Sequence, residues 1–184
     1  MSFVSPNGND GGVIETDNGD NTINGAGGDD IVNGAGGDDF IKGGGGDDDM
    51  KGGVGDDRLA GGAGDDKIAG GGGDDIINGG LGNDKLGGGA GDDVLTGGPG
   101  NNRLTGGEGA DTFVFDAEST GKDKILDFDA SEGDTIRLNG GIEADGFREF
   151  AGGTIVDMST GGTIIFQGVD MEEVMELFGV FDIA

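Results

Sequence analysis

The sequence predicts an all-β fold: short parallel strands stacked into a two-sheet solenoid, closed at the C-terminal end by a β-rich cap and a short helix. Three observations predict it. A nine-residue phrase, Gly-Gly-x-Gly-x-Asp-x-apolar-x, recurs eleven times in frame between Thr16 and Val114. Its fourth place is always Gly, and its eighth is always apolar: Ile23, Val32, Ile41, Met50, Leu59, Ile68, Ile77, Leu86, Leu95, Leu104 and Phe113. Beyond Phe113 the period stops, Gly thins out, and alternating apolar segments take over. A strict period of this kind means stacked copies of one unit, because a single copy has nothing against which to bury its apolar side.

Each part of the phrase has a physical task. Glycines at the first, second and fourth places permit the positive φ angles and close backbone approach of a tight turn. The last three residues, as in Arg58-Leu59-Ala60, form a strand whose middle side chain points inward. Two phrases make one coil of 18 residues, and coils stack at the strand spacing of ~4.8 Å. One sheet then buries Ile23, Ile41, Leu59, Ile77, Leu95 and Phe113, and the other Val32, Met50, Ile68, Leu86 and Leu104. Outward places differ between the faces. The first carries Phe40, Ile76 and Val94, interrupted by Arg58, and the second Asp49, Lys67, Lys85 and Arg103.

In chain order, residues 1–15 read as a lead-in. Its second part, 7–15, is a degenerate capping copy with Ile14 at the apolar place and Gly12 where Asp belongs. Residues 16–114 form the repeat region. Residues 115–184 form a C-terminal region in which strands are expected at 112–115, 124–128, 135–138, 154–158 and 163–166, with turns at the Gly and Asp clusters between them. A short amphipathic helix is expected over 171–178, with Met171, Val174, Met175 and Phe178 on one face. Such a cap is needed because the last coil of a solenoid would otherwise be an open edge.

Composition excludes several classes. Gly supplies 48 of 184 residues and Pro two, so the chain is not collagen. The net charge of -28 argues against nucleic acid and anionic membranes, both of which select basic surfaces, and favours cations. Without Cys there is no disulfide framework, and without Cys or His there is no zinc or copper site. No apolar run is long enough to cross a membrane. Met1 to Asn7 has no basic and apolar regions of a cleavable signal peptide. With no His, Cys or Tyr, the usual nucleophile–base pairs are unavailable, and the expectation is a protein without enzymatic activity. Paired carboxylates of a glycosidase are a poor alternative, since the paired Asp residues all belong to the repeat. The flat Thr and Asn rows of an ice-binding solenoid face are also missing, so binding to ice or carbohydrate through such rows is not expected.

The sixth place of the phrase carries the chemistry. It holds Asp30, Asp39, Asp48, Asp57, Asp66, Asp75, Asp84, Asp93 and Asp111, with Asn21 and Asn102 as exceptions. An 18-residue coil stacks Asp30 over Asp48, Asp39 over Asp57, and so on along both edges. The repeat region holds 19 Asp and one Glu against six Lys or Arg. Rows of like charge beside a thin core predict that the bare chain does not fold. Calcium answers both needs: it takes six to eight oxygen ligands in adaptable geometry, both carboxylates and carbonyls, whereas magnesium demands a small octahedral shell. Each Asp pair is expected to clamp an ion between turns. Carbonyls of Gly34, Gly43, Gly52, Gly61, Gly70, Gly79 and Gly88 complete the shells of roughly six to eight ions. Binding is then folding free energy. The fifth-place residues Asp29, Asp38, Asp47, Asp56, Asp65, Asp74 and Asp92 are expected to face solvent as a solubilising rim.

These repeats resemble the repeats-in-toxin (RTX) family. The resemblance implies a calcium-loaded parallel β-roll. Asn21 and Asn102, Ala26 and Ala35 in place of the second Gly, and Pro99 inside a turn depart from the pattern, so fewer or weaker ions are expected near both ends. The tail is also similar to the ends of exported RTX proteins, through Ala110-Asp111-Thr112-Phe113-Val114-Phe115, Asp123-Lys124-Ile125-Leu126-Asp127-Phe128 and Gly133-Asp134-Thr135-Ile136-Arg137-Leu138. This implies an uncleaved C-terminal signal, at about residues 165–184, read by a type I ABC exporter. The resemblance therefore implies a secreted calcium-binding protein that folds outside the cell. With no effector domain before the repeats, a non-enzymatic surface or matrix component is expected, self-associating through the face bearing Phe40, Ile76 and Val94. The alternative is a carrier module for a larger secreted lyase, lipase or protease.

Overall fold

The apolar eighth place of each repeat stands at the centre of every coil, and the rest of the architecture follows from stacking it. A computed structural model describes residues 2–4 and 11–179. The strands begin with β1 (Ser2–Val4), β2 (Val13–Glu15), β3 (Asn21–Asn24), β4 (Ile31–Asn33), β5 (Phe40–Gly45) and β6 (Asp49–Val54). They continue through β7 (Arg58–Ala63), β8 (Lys67–Gly72), β9 (Ile76–Leu81), β10 (Lys85–Ala90), β11 (Val94–Thr96) and β12 (Arg103–Glu108). The C-terminal region adds β13 (Thr112–Phe115), β14 (Lys122–Ile125), β15 (Thr135–Leu138), β16 (Ala144–Phe150), β17 (Gly153–Met158), β18 (Thr163–Gln167) and the helix α1 (Met171–Leu177).

Successive strands alternate between two sheets. Odd-numbered strands β1 to β15 form one, in the order β1-β3-β5-β7-β9-β11-β13-β15. Even-numbered strands form the other, which runs from β2 through β14 and ends in β18-β17-β16. Pairing within the solenoid is parallel at an interval of 18 residues, as in Leu59 beside Ile77 and Ile68 beside Leu86. The two inward rows are those the sequence predicts. Ile23, Ile41, Leu59, Ile77, Leu95 and Phe113 are buried on one side, and Val32, Met50, Ile68, Leu86 and Leu104 on the other, with Ile14 and Ile125 extending the second row.

Three expectations are corrected here. Most strands of the repeats run six residues rather than three, as Arg58–Ala63 does, because the second-place glycine and the residue after it rejoin the ladder beyond the first-place glycine. The glycines also divide their tasks. Positive φ is confined to the second and fourth places (Gly53 and Gly55, for example), while the first-place Gly52 has an ordinary φ. Ala26 and Ala35 at the second place are held at φ 79° and 70°, a region that disfavours a Cβ. The fifth-place aspartates, expected only as a charged rim, are exposed, but each Oδ1 also accepts a backbone N–H one coil on, as Asp38 does from Asp56 at 3.0 Å.

In the lead-in, β1 pairs with β3 and β2 with β4, so Ile14 heads a core row. Residues 7–10 of the degenerate copy lie outside the described residues. At the other end the expected strand over 124–128 is displaced to Lys122–Ile125. The cause is Asp127, whose carboxylate turns in to accept the N–H groups of Gly106 and Gly107 at 3.0 Å each. β18 runs parallel to β14, then β17 and β16 add antiparallel strands. β16 has no counterpart in the sequence expectations. Phe128 bridges the two regions, 6.2 Å from Phe113 and edge-on at 5.4 Å from Phe166. The helix starts at Asp170, whose side chain accepts the N–H of Glu173, and it ends one residue before the expected Phe178. Val174 is its buried residue, while Met171 and Met175 are only half-buried and Leu177 and Phe178 pack on the core. Residues 180–184 of the expected export signal lie outside the described residues.

Candidate metal centres

The inward aspartates are fixed by the backbone of the neighbouring coil. Asp57 Oδ1 accepts the N–H of Asp39 at 2.8 Å, Asp75 that of Asp57 at 2.8 Å, and Asp66 that of Asp48 at 2.9 Å. The same bond joins Asp48 to Asp30, Asp84 to Asp66, Asp93 to Asp75 and Asp111 to Asp93. Asp30 accepts from Gly12, and Asp39 from Asn21. The 18-residue stacking is therefore realised as a ladder of N–H to carboxylate bonds along each edge. It leaves one oxygen per carboxylate, rather than two, for any other partner.

That second oxygen has none from the protein. Oδ2 of Asp30, Asp39, Asp48, Asp57, Asp66, Asp75, Asp84, Asp93 and Asp111 is buried without a hydrogen-bond donor. Its surroundings explain the first-place glycine. A Cβ added to Gly52 would collide with Oδ2 of Asp57 and stand 2.8 Å from the carbonyl oxygen of Gly70. The same cradle recurs where Asp30 faces the carbonyl of Gly43, Asp39 that of Gly52, Asp48 that of Gly61, Asp66 that of Gly79 and Asp75 that of Gly88. Asp84 with Gly97 and Asp93 with Gly106 complete the series. Gly97 and Gly106 were absent from the sequence expectations, although the same first-place register identifies them. Gly34 stands apart, since its carbonyl accepts the Thr16 hydroxyl at 2.7 Å. Asp111 has its glycine, Gly106, but there the nearest atoms are those of Asp111 itself, and the nine-residue period ends at this coil.

Electrostatics makes these cradles unfavourable on their own. A carboxylate oxygen and a carbonyl oxygen face one another with no donor between them, at the cost of an unsatisfied buried charge. Burial pushes the carboxyls up, to about 6 at Asp57, Asp84, Asp93 and Asp111 and about 7 at Asp66 and Asp75. The backbone N–H bonds pull against that rise and neighbouring carboxylates add to it. Asp39 and Asp48 are raised for the same reason. The donor set is all oxygen, one anionic and at least one neutral, in a space a methyl group would fill. It fits a hard cation such as calcium. Among the described residues no three carboxylates converge on one point.

Asn102 is the exception that the network explains. Its Oδ1 must accept the N–H of Asp84 at 2.8 Å, which leaves Nδ2 in the place of the unpartnered oxygen, where it donates to Gly98 O at 3.1 Å. A donor there cannot ligate a cation. Two residues outside the repeats continue the rows and are not signalled by the period. Asp123 Oδ1 accepts the N–H of Asn102 at 2.9 Å, and burial pushes its carboxyl to about 6. Asp134 accepts from Asp111 and Asp129 at 2.9 Å each, so both of its oxygens are used. The outward apolar residues named in the sequence lie in one row with Arg58 between Phe40 and Ile76; Phe40 and Ile76 are exposed and Val94 is half-buried. No helix is long and apolar enough to cross a membrane among the described residues.

A search among curated proteins gives no match. Among solved structures the chain is similar to the AlgE6R3 subunit from the Azotobacter vinelandii mannuronan C5-epimerase. That match has 31% identity and a TM-score of 0.48, over 65% of this chain and 81% of that one. It is also similar to the extracellular lipase LipA from Serratia marcescens, with 18% identity and a TM-score of 0.36, over 92% of this chain and 40% of that one. The model of the RTX calcium-binding nonapeptide repeat matches residues 7–41, 15–50, 32–59, 51–86 and 87–118, more than half of the chain. With that period, these parallel sheets and the repeated oxygen cradles, the chain belongs to the RTX calcium-binding nonapeptide repeat family.

Proposed function

We propose that this chain is a calcium-operated folding module of an exported protein, without chemistry of its own, which orders outside the cell when calcium fills the cradles along its two edges. The observation that carries this reading is the set of buried, donorless Oδ2 atoms, one at every sixth-place Asp. Asp30, Asp39, Asp48, Asp57, Asp66, Asp75, Asp84 and Asp93 would hold the ions, with the carbonyls of Gly43, Gly52, Gly61, Gly70, Gly79, Gly88, Gly97 and Gly106 beside them. Asp111 would offer an incomplete site. Calcium supplies charge neutralisation and a bridge between oxygens that otherwise repel.

Export before folding is the sequence of events this reading requires. The segment offered as the exporter's signal takes in the end of β18, a strand that pairs with β14 and β17, and all of α1. A type I ABC exporter would read that segment before those pairings form, while calcium is scarce. Self-association through the Phe40 and Ile76 face would follow only once the coils are stacked.

The test is circular dichroism of the chain in chelator, titrated with calcium and separately with magnesium. A β-sheet signal that appears with calcium and not with equal magnesium is the expected result. A chain already β-rich in chelator at neutral pH would overturn the coupling of ion binding to folding.

A further inference from the structure

The outward face of the second sheet carries a feature that calcium binding does not use. In register on adjacent strands stand Lys67, Lys85, Arg103 and Lys124, all exposed. Lys122 lies two residues before Lys124 on the same face. Five of the chain's ten basic residues thus sit together in a protein of net charge -28. Lys67 is paired with Asp49 at 2.7 Å, but Lys85, Arg103, Lys122 and Lys124 form no salt bridge among the described residues. Like charges on neighbouring strands repel, so Lys85, Arg103 and Lys124 side by side cost the fold rather than support it.

The adjoining edge changes sign at the same place. Along it the fifth-place ladder runs Asp29, Asp47, Asp65, then Asn83, Asn101 and Lys122, each accepting or donating one rung on. The opposite edge stays acidic through Asp38, Asp56, Asp74 and Asp92. Where the carboxylates give way to amides, Asn83, Asn101, Arg103, Lys122 and Lys124 border an open depression of about 360 Å³. Its charged side chains are all cationic.

We propose that this strip binds a linear anionic glycan, one bearing a carboxylate or sulfate group on every sugar or on every second one, laid along the solenoid axis. Cations repeat at one strand separation, ~4.8 Å, which suits a chain with regularly spaced anionic groups. Amides beside them suit hydroxyls. The acidic edge on the far side admits a narrow chain and repels a broad one such as a nucleic acid duplex. No aromatic side chain stands in the rows of Lys67, Lys85, Arg103 and Lys124, so the stacking platform that a single-stranded nucleic acid uses is missing. The strip exists only when the coils are stacked, so the inference rests on the calcium-loaded fold.

The experiment uses the calcium-loaded chain and its variant Arg103→Glu/Lys124→Glu, with Lys42→Glu/Arg58→Glu on the opposite face as the matched control. Circular dichroism in calcium is recorded for each, which separates a lost fold from a lost ligand. Binding to hyaluronate, dextran sulfate, neutral dextran and a thymidine oligonucleotide is then measured at low and raised salt. The expected result is salt-sensitive binding of hyaluronate or dextran sulfate, weakened at least about tenfold by the first pair of reversals and unchanged by the second. Which of the two probes binds tells carboxylate from sulfate. Absence of binding to both, or equal loss in the control, overturns the proposal. Equal binding of the oligonucleotide overturns the glycan assignment. So does sedimentation showing a dimer that only the first variant abolishes, which would place the acidic edge of a second copy on the strip.

Discussion

At the scale of single residues, each sixth-place Asp performs two tasks with its two oxygens, and substitution separates them. Asp57 Oδ1 accepts the N–H of Asp39, while Oδ2 lies in the cradle with Gly70 O. Asp57→Asn keeps an acceptor for that N–H and replaces the second oxygen with a donor, the arrangement the chain already has at Asn102. Its calcium midpoint for folding should rise several-fold with the fold at saturation intact. Asp57→Ala should rise further, because a buried N–H is also left unpaired, at about 1–3 kcal/mol. Midpoints by circular dichroism check both, and an Asn variant equal to wild type would mean Oδ2 holds no ion. Glycine offers a second contrast. Gly52→Ala puts a methyl group into the cradle and should destabilise the calcium-loaded fold by about 1–3 kcal/mol or abolish it. Gly72→Ala, where an added Cβ meets nothing within 4 Å and φ is not positive, should be neutral or stabilising by up to roughly 1 kcal/mol. Thermal unfolding in excess calcium measures the pair. Equal effects would mean that the first-place glycines are not kept by steric exclusion.

At the scale of elements, the end of the solenoid is held by residues that do not belong to the repeat. Asp127 accepts the N–H groups of Gly106 and Gly107, which have no further coil to receive them. Asp127→Ala should therefore fray β12 before the middle strands, at a local cost of roughly 1–3 kcal/mol. Hydrogen exchange checks this: protection should fall at 103–108 and hold at 58–63, and a uniform fall would contradict an end-capping role. What was legible in the sequence divides along the same line. The two core rows, the alternation of sheets and the inward Asp rows follow from a fixed period, because every copy faces the same neighbours. β17 and β18 were readable from the alternation in Thr154 to Met158 and Thr163 to Phe166. β16 was not, since Ala144-Asp145-Gly146-Phe147-Arg148-Glu149-Phe150 is an outer strand with most of its residues in contact with water and a register shift near Ala144. Glycine in a sequence reads as turn, which shortens the expected strands, whereas Gly62 and Ala63 have a neighbouring coil to pair with. Asp123 and Asp134 continue the rows at intervals of 21 and 23 residues, which no nine-residue frame selects.

At the scale of the whole molecule, calcium and protons compete for the same stacked oxygens, and the sign of that competition can be worked out. In the calcium-free fold burial raises Asp57, Asp84, Asp93 and Asp111 to about 6 and Asp66 and Asp75 to about 7, against an ordinary carboxyl value of 3.8. A group whose folded pKa is raised binds its proton more tightly in the folded state. Its contribution to stability is then fully present below the unfolded value and lost as pH rises through the folded one. Stability of the calcium-free fold should therefore decline between about pH 4 and pH 7. Calcium-free chain taken from neutral pH down towards pH 4 should gain β-sheet signal. With excess calcium the unfolded chain and the ion-loaded fold both carry ionised carboxylates above about pH 5, so the gain should vanish there. Circular dichroism along the two pH series, one calcium-depleted and one calcium-saturated, makes the comparison. A calcium-depleted signal that stays flat, or that rises with pH, would show that the aspartate rows are not forced together in the folded chain, and the cradles would lose their claim on the ion.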